Sequence, residues 1–114
     1  MNEDDMVRLR HMLHYARLAL TAVESKSRST FDSDEILWLA VTRALEIIGE
    51  ATNHVSEETQ TMLSQIDWRI MIGLRNRIAH AYMYINNDVI WQTVSDDLPP
   101  LVSELEKIVT PGEM

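Results

Sequence analysis

Residues 35–55 read EILWLAVTRALEIIGEATNHV, and the spacing of their apolar side chains decides the fold class. Leu37, Val41, Ala44, Ile48, Ala51 and Val55 recur three or four positions apart, the period of one helix face. Ile36, Leu39, Ala40 and Ile47 widen that stripe. A stripe so wide predicts burial on two sides, with core on one and a partner subunit on the other. Asp32, Ser33 and Asp34 precede it, each a plausible N-cap.

Working outward, the same period appears upstream in Met6, Leu9, Leu13, Ala16, Leu20 and Val23. It fades at SKSRST, residues 25–30, which reads as a polar, mobile loop. Downstream, Ser56 caps a short helical turn ending near Leu63, and Asp67 caps a third helix that starts at Trp68. Gly73 falls inside that helix, where glycine costs roughly 1 kcal/mol relative to alanine, so a close backbone approach is expected there. The Pro99-Pro100 pair is expected to interrupt the last helical stretch, with Asp96 or Asp97 capping a fresh start. Leu101, Val102, Leu105, Ile108 and Val109 then return at helical spacing. No strand-period alternation or internal repeat is present. The expectation is one all-α domain over residues 1–114, an antiparallel four-helix bundle with short extra helices.

Composition narrows the function. The 114 residues suffice for one core, and only three glycines and three prolines interrupt them. With no cysteine, disulfides, thiolate metal sites and cysteine nucleophiles are excluded. No apolar run approaches the ~18 residues of a membrane span, and the charged start MNEDDMVRLR lacks a following apolar segment. A soluble, cytoplasmic protein without membrane contact is expected. The net charge of −8 argues against a broad nucleic-acid-coating face, though a local positive spot can still meet a few phosphates. Arg69, Arg75 and Arg77 supply such a spot.

Residues 75–85, RNRIAHAYMYI, carry the chemistry. At 100° per residue, Arg75, Asn76 and His80 fall within an arc of about 140°, and Tyr82 returns to within about 20° of Arg75. Arginine clamps phosphate oxygens, and histidine moves protons near neutral pH. Together they suit cleavage of RNA by its own 2′-hydroxyl, which needs a base, an acid and a cation for the developing charge. One histidine is short of two proton-transfer groups, and a symmetric dimer would supply the second. The plainer alternative has the arginine and histidine pairing with helix C-terminal carbonyls and the helix dipole.

Arg75-Asn76, His80, Ala81 and Tyr82 match the R-x4-H-x-Y signature of the HEPN superfamily, and the chain resembles the HepT toxins paired with minimal nucleotidyltransferase antitoxins. The likeness extends to ALEIIGEA (44–51), IDWRIMIGLRNRIAHAY (66–82) and WQTVSDDLPPL (91–101), and so to most of residues 5–110. The proline common in that family shortly before the segment matching Ile66-Asp67-Trp68 is missing. The resemblance implies the toxin of a type VII toxin–antitoxin system. It would be a homodimeric, metal-independent endoribonuclease acting on tRNA or mRNA, with the two motifs facing each other at the seam. Arg75 would stabilise the transition-state phosphate and His80 would transfer protons. Asn76 would support the site, and Tyr82 would accept AMP from the antitoxin, in a hetero-oligomer or a transient encounter. The alternative of another class is an inactive HEPN-like scaffold for a nucleotidyltransferase. No cofactor is implied.

Other polar groups have plain readings. His11 with His14, and Glu50 with His54, have ligand-like spacing but lack a third group, so metal binding is not expected. Glu46 and Glu50 read as a solvated edge or as partners of Arg43, with orientation of Arg75 across the bundle as the functional alternative. Tyr84 competes with Tyr82 as a modification site but falls outside the motif. Trp38, Trp68 and Trp91 read as core or interface anchors.

Overall fold

The computed structural model describes residues 1–84 and 86–109. Ile85 and the last five positions of the expected domain lie outside the described residues. The described chain is all-α, as expected, and the helices follow from local capping and burial. α1 (Glu3–Val23) starts where Asn2 accepts a hydrogen bond from the Asp5 N–H at 2.7 Å, and its acidic first turn suits the positive end of the helix dipole. Leu9, Met12, Leu13 and Ala16 bury completely. α3 (Glu35–Thr52) is capped by Asp34, which accepts from the Leu37 N–H at 3.0 Å. Its Val41, Leu45 and Ile48 are fully buried, and α3 packs chiefly against α1.

The loop expected over residues 25–30 is confined to residues 25–27. α2 (Arg28–Ser33) takes up the rest, capped by Ser27 accepting from the Thr30 N–H at 3.1 Å. A six-residue helix needs no stripe. Its one large apolar side chain, Phe31, is fully buried and lies 5.3 Å, centroid to centroid, from Trp91. α4 (Glu57–Met62) is capped by Ser56, as anticipated. Asp5 of α1 reaches the same junction, accepting from the Ser56 N–H at 3.0 Å, the Ser56 hydroxyl at 2.6 Å and the Thr59 hydroxyl.

The third helix starts at Trp68 under an Asp67 cap but is broken in two, α5 (Trp68–Ile72) and α6 (Leu74–Tyr84). Gly73, at φ −79° and ψ −2°, makes the break and is not the point of close approach. A Cβ on Gly73 would meet only the carbonyl of Arg69, at 3.4 Å, and that of Ile70. The close approach belongs to Gly49 of α3. A Cβ there would lie 3.1 Å from Arg75 Cγ and 3.2 Å from the Arg75 backbone nitrogen. α6 therefore rides directly on α3 at the start of the signature stretch.

Pro99 and Pro100 do not interrupt the last helical rod. α7 (Asn87–Gln92) runs into a π turn over Thr93–Asp97 and on into α8 (Leu98–Glu106), with the prolines in its first turn. Proline lacks an N–H, and that absence does least harm at a helix start. The π turn resets the ladder just ahead of them, as the Leu98 N–H donates to the Thr93 carbonyl. Neither Asp96 nor Asp97 caps α8 through its side chain. Asp97 instead faces Arg77 at 3.5 Å. α8 then packs on α1, and no described helix is long and apolar enough to cross a membrane.

Candidate active site

α6 presents Arg75, Asn76, His80 and Tyr82 on exposed positions while Leu74, Ile78 and Ala81 bury against the core. The apolar positions thus fix which way the polar ones turn. Arg75 points toward α3, where its Nη1 donates to Glu50 Oε2 at 2.8 Å. The other oxygen of that carboxylate lies 3.2 Å from His54 Nε2. Glu50 is therefore the member of the Glu46–Glu50 pair that orients Arg75. Glu46 sits 3.9 Å from Arg43, a loose contact across one helical turn. Glu50 and His54 form an ion-pair-type contact, and no group of three or more His, Cys, Asp or Glu converges as a metal site among the described residues.

His80 turns another way. Its ring lies 4.6 Å from that of Tyr84, and no hydrogen bond joins it to Arg75 among the described residues. A single chain thus brings Arg75 and Tyr82 to one groove and leaves His80 on an adjoining exposed surface. Tyr82 meets Trp38 of α3, with centroids 6.0 Å apart at 37°. Those two rings, together with Leu39, Glu46, Arg75 and Met83, line a groove of about 470 Å³ between α3 and α6. Asn76 is exposed beside Arg75.

Arg77 belongs to the same stretch but does other work. Its Nη1 donates to the Thr93 hydroxyl at 3.2 Å and meets Asp97 at 3.5 Å, tying α6 to the π turn. Burial pushes the Asp97 carboxyl up, and the nearby Arg77 charge only partly offsets this. The expected local positive spot therefore loses Arg77 to a structural pair.

Trp38, expected as a core or interface anchor, also borders the α3–α6 groove. It is half-buried against the edge of the core and is held by its Nε1–H donating to Asn87 at 2.7 Å. Asn87 in turn donates to Asp32 at 3.0 Å. The available signal was the recurrence of Trp38, Thr42 and Glu46 every four residues, which marks the groove wall on α3.

The comparisons specify the class to which this all-helical domain belongs. The family described as "Ribonuclease HepT-like" matches residues 12–108, and the chain belongs to the HepT-like ribonuclease family within the HEPN superfamily. It is 31% identical over 101 residues to a Caldanaerobacter subterraneus protein named as a candidate RNase, covering 89% of this chain and 90% of that one. It is 38% identical over 78 residues to the "Probable ribonuclease HepT" of Thermococcus cleftensis, covering 68% and 71%. A Methanocaldococcus jannaschii protein, also named as a candidate RNase, is 36% identical over 76 residues, covering 67% and 70%. No solved structure matches the chain.

Proposed function

We propose that the chain is the toxin of a type VII toxin–antitoxin pair, a metal-independent endoribonuclease whose site completes at a homodimer seam. The observation that carries this reading is the Glu50–Arg75 pair, which fixes an exposed cation at the edge of a nucleotide-sized groove. Arg75 binds a phosphate oxygen and stabilises the charge that gathers as the ribose O2′ bonds to phosphorus. A base takes the 2′-hydroxyl proton, the P–O5′ bond breaks, and an acid protonates the departing O5′. The products are a 2′,3′-cyclic phosphate and a 5′-hydroxyl.

His80 serves one of the two proton-transfer roles, and a second copy of His80 across the seam serves the other. Ile36 supports this arrangement, because it leaves apolar surface exposed on α3, outside the groove lining, for a second copy to cover. Asn76, next to Arg75, assists in orienting the scissile phosphate. tRNA or mRNA is the substrate.

The position of Tyr82 in the groove with Arg75 supports a route to neutralisation. A cognate nucleotidyltransferase antitoxin transfers AMP from ATP to the Tyr82 hydroxyl, with pyrophosphate leaving, during a transient encounter or within a hetero-oligomer. The adduct sets an anionic nucleotide beside Arg75, where it competes with substrate phosphate.

The deciding experiment incubates purified, mass-verified unmodified protein with total cellular RNA in EDTA, beside His80→Ala. Expected are fragments ending in 2′,3′-cyclic phosphate that are absent with the variant. RNA left intact by the unmodified wild type would sink the nuclease reading and favour a scaffold for the nucleotidyltransferase.

A further inference from the structure

Two hollows flank the Trp38–Tyr82 ring pair, and their charges differ. One is the α3–α6 groove, which contains Arg75 and Glu46. The other, about 400 Å³, is lined by Asp32, Ser33, Glu35 and Asn87 beside the same two rings. In the first, the carboxylates are matched pairwise by Arg75 with Glu50 and Arg43 with Glu46. Arg75 commits only Nη1 to Glu50 among the described residues, which leaves guanidinium N–H donors for an anion. In the second, Arg28 is shared between Asp32 at 2.9 Å and Asp88 at 2.6 Å, and Glu35 adds further negative charge. A nucleotide that packs against these rings is therefore directed to the Arg75 side.

The Trp38 ring is also held in place. The Trp38 indole is fixed by the Asn87 hydrogen bond, and Asn87 is fixed by Asp32. That chain anchors the indole edge and leaves a face available to the groove. Aromatic faces next to a cation are the elements that bind unpaired nucleotides, the base stacking while the phosphate meets the cation. A base inside a duplex is already stacked on its neighbours and cannot also stack on a side chain.

The geometry points to the Trp38 face as the base subsite of this nuclease, so that its substrate is RNA unpaired at the cleavage position. A nucleobase next to the scissile phosphate stacks on the groove-side face of Trp38, beside Tyr82, while that phosphate rests on Arg75. Trp38 is thus a substrate-binding residue that the R-x4-H-x-Y pattern does not contain. The inference rests on the ribonuclease reading of Arg75 and His80, and its test separates the two.

The experiment uses the full chain as wild type, Trp38→Ala and Trp38→Phe, each checked for helical content and solution mass. Cleavage of one RNA oligonucleotide is followed single-stranded and annealed to its complement. Binding of a fully 2′-O-methylated copy, which lacks the attacking hydroxyl, is followed in parallel by tryptophan fluorescence. Wild type is expected to cut the single strand and spare the duplex. Trp38→Ala should raise KM roughly tenfold or more with a much smaller change in kcat, and Trp38→Phe should restore most of the loss. The methylated strand should quench wild-type fluorescence, and the quench should largely vanish in Trp38→Phe because Trp68 and Trp91 lie elsewhere.

Wild-type KM in a folded Trp38→Ala, or an unchanged quench in Trp38→Phe, overturns the base subsite while leaving the nuclease intact. Equal cutting of duplex and single strand overturns it as well. Quenching that depends on Trp38 in a protein that cuts neither RNA upholds the subsite and removes the nuclease.

Discussion

Glu50 on α3 holds Arg75 on α6 at 2.8 Å, and Gly49, one residue earlier, lets the Arg75 backbone sit against α3. The arginine of the signature is thus fixed at both ends by adjacent residues of one neighbouring helix. Both side chains of the pair remain about half exposed, so the contact adds little to stability and chiefly sets direction. Glu50→Gln should therefore move the unfolding free energy by less than about 1 kcal/mol. It should lower kcat/KM for RNA cleavage roughly tenfold or more, because a misdirected guanidinium no longer meets the phosphorane. Thermal melting and steady-state cleavage measured together check this, and an unaltered cleavage rate would deny Glu50 its positioning role.

Gly49→Ala asks for space that the structure does not have. Its new methyl group would lie 3.1 Å from Arg75 Cγ, 3.2 Å from the Arg75 backbone nitrogen and 3.2 Å from Cβ of the fully buried Leu74. Overpacking of this kind costs about 1–3 kcal/mol, and the relief available here is displacement of α6 from α3. A lowered melting temperature with a proportionate fall in cleavage is expected. Gly73→Ala meets open surroundings beyond its own helix and serves as the control.

Asp5 predicts an acid limit to stability. Burial alone would push its carboxyl up, but hydrogen bonds from Ser56 and Thr59 outweigh that and hold it below the ordinary aspartate value. A lowered folded-state pKa gives stability that is present above the unfolded value and lost as pH falls through the folded one. Asp5→Asn should thus cost about 1–3 kcal/mol at pH 7. That gap should narrow as the pH drops below about 4. Urea titrations across that range provide the check, and a pH-independent gap would mean that the carboxylate charge is irrelevant.

Exposure does not choose between the two tyrosines, since Tyr82 and Tyr84 are each 67% exposed. Position does: Tyr82 shares a groove with Arg75, whereas Tyr84 stacks against His80. Tyr82→Phe should remain toxic in cells that carry the antitoxin, and Tyr84→Phe should stay neutralised. The reverse pattern in a growth assay would transfer the modification to Tyr84.

Much of this arrangement was legible because it rests on local signals. The stripe in residues 35–55, the Asp67 cap before Trp68 and the Ser56 cap each depend on a few neighbouring residues. What escaped depends on pairs distant in the chain. α2 forms because Phe31 finds Trp91, sixty residues on, and no pattern within 25–30 announces that. Gly73 drew attention by interrupting a helix, yet the glycine under compression was Gly49, whose neighbour comes from another element. Arg77 looked like part of the cationic spot until Asp97 and Thr93 of the π turn claimed it. At the candidate site, the residue types and spacing pointed to Arg75, His80 and Tyr82 as candidates, while the contact of Trp38 with Tyr82 became visible only when α3 and α6 came together.

The divergence of Arg75 and His80 within one chain makes the strongest demand on the assembly. Arg75 turns to Glu50 and the groove, and His80 turns to Tyr84, so a site that uses both side chains is most directly built from two copies. An Arg75→Ala subunit still carries His80, and a His80→Ala subunit still carries Arg75. Each homodimer of these variants should be inert, since both of its sites lack the same group. Mixing them after reversible unfolding should create one seam position at which an intact Arg75 faces an intact His80. Some cleavage should then reappear, well below the wild-type rate, because the mixed dimer holds one His80 and lacks the second proton-transfer group. Activity in mixed dimers verified by distinct affinity tags would show that each site draws on both chains, whereas inert mixed dimers would leave sharing unproven, because their seam still lacks one Arg75 and one His80.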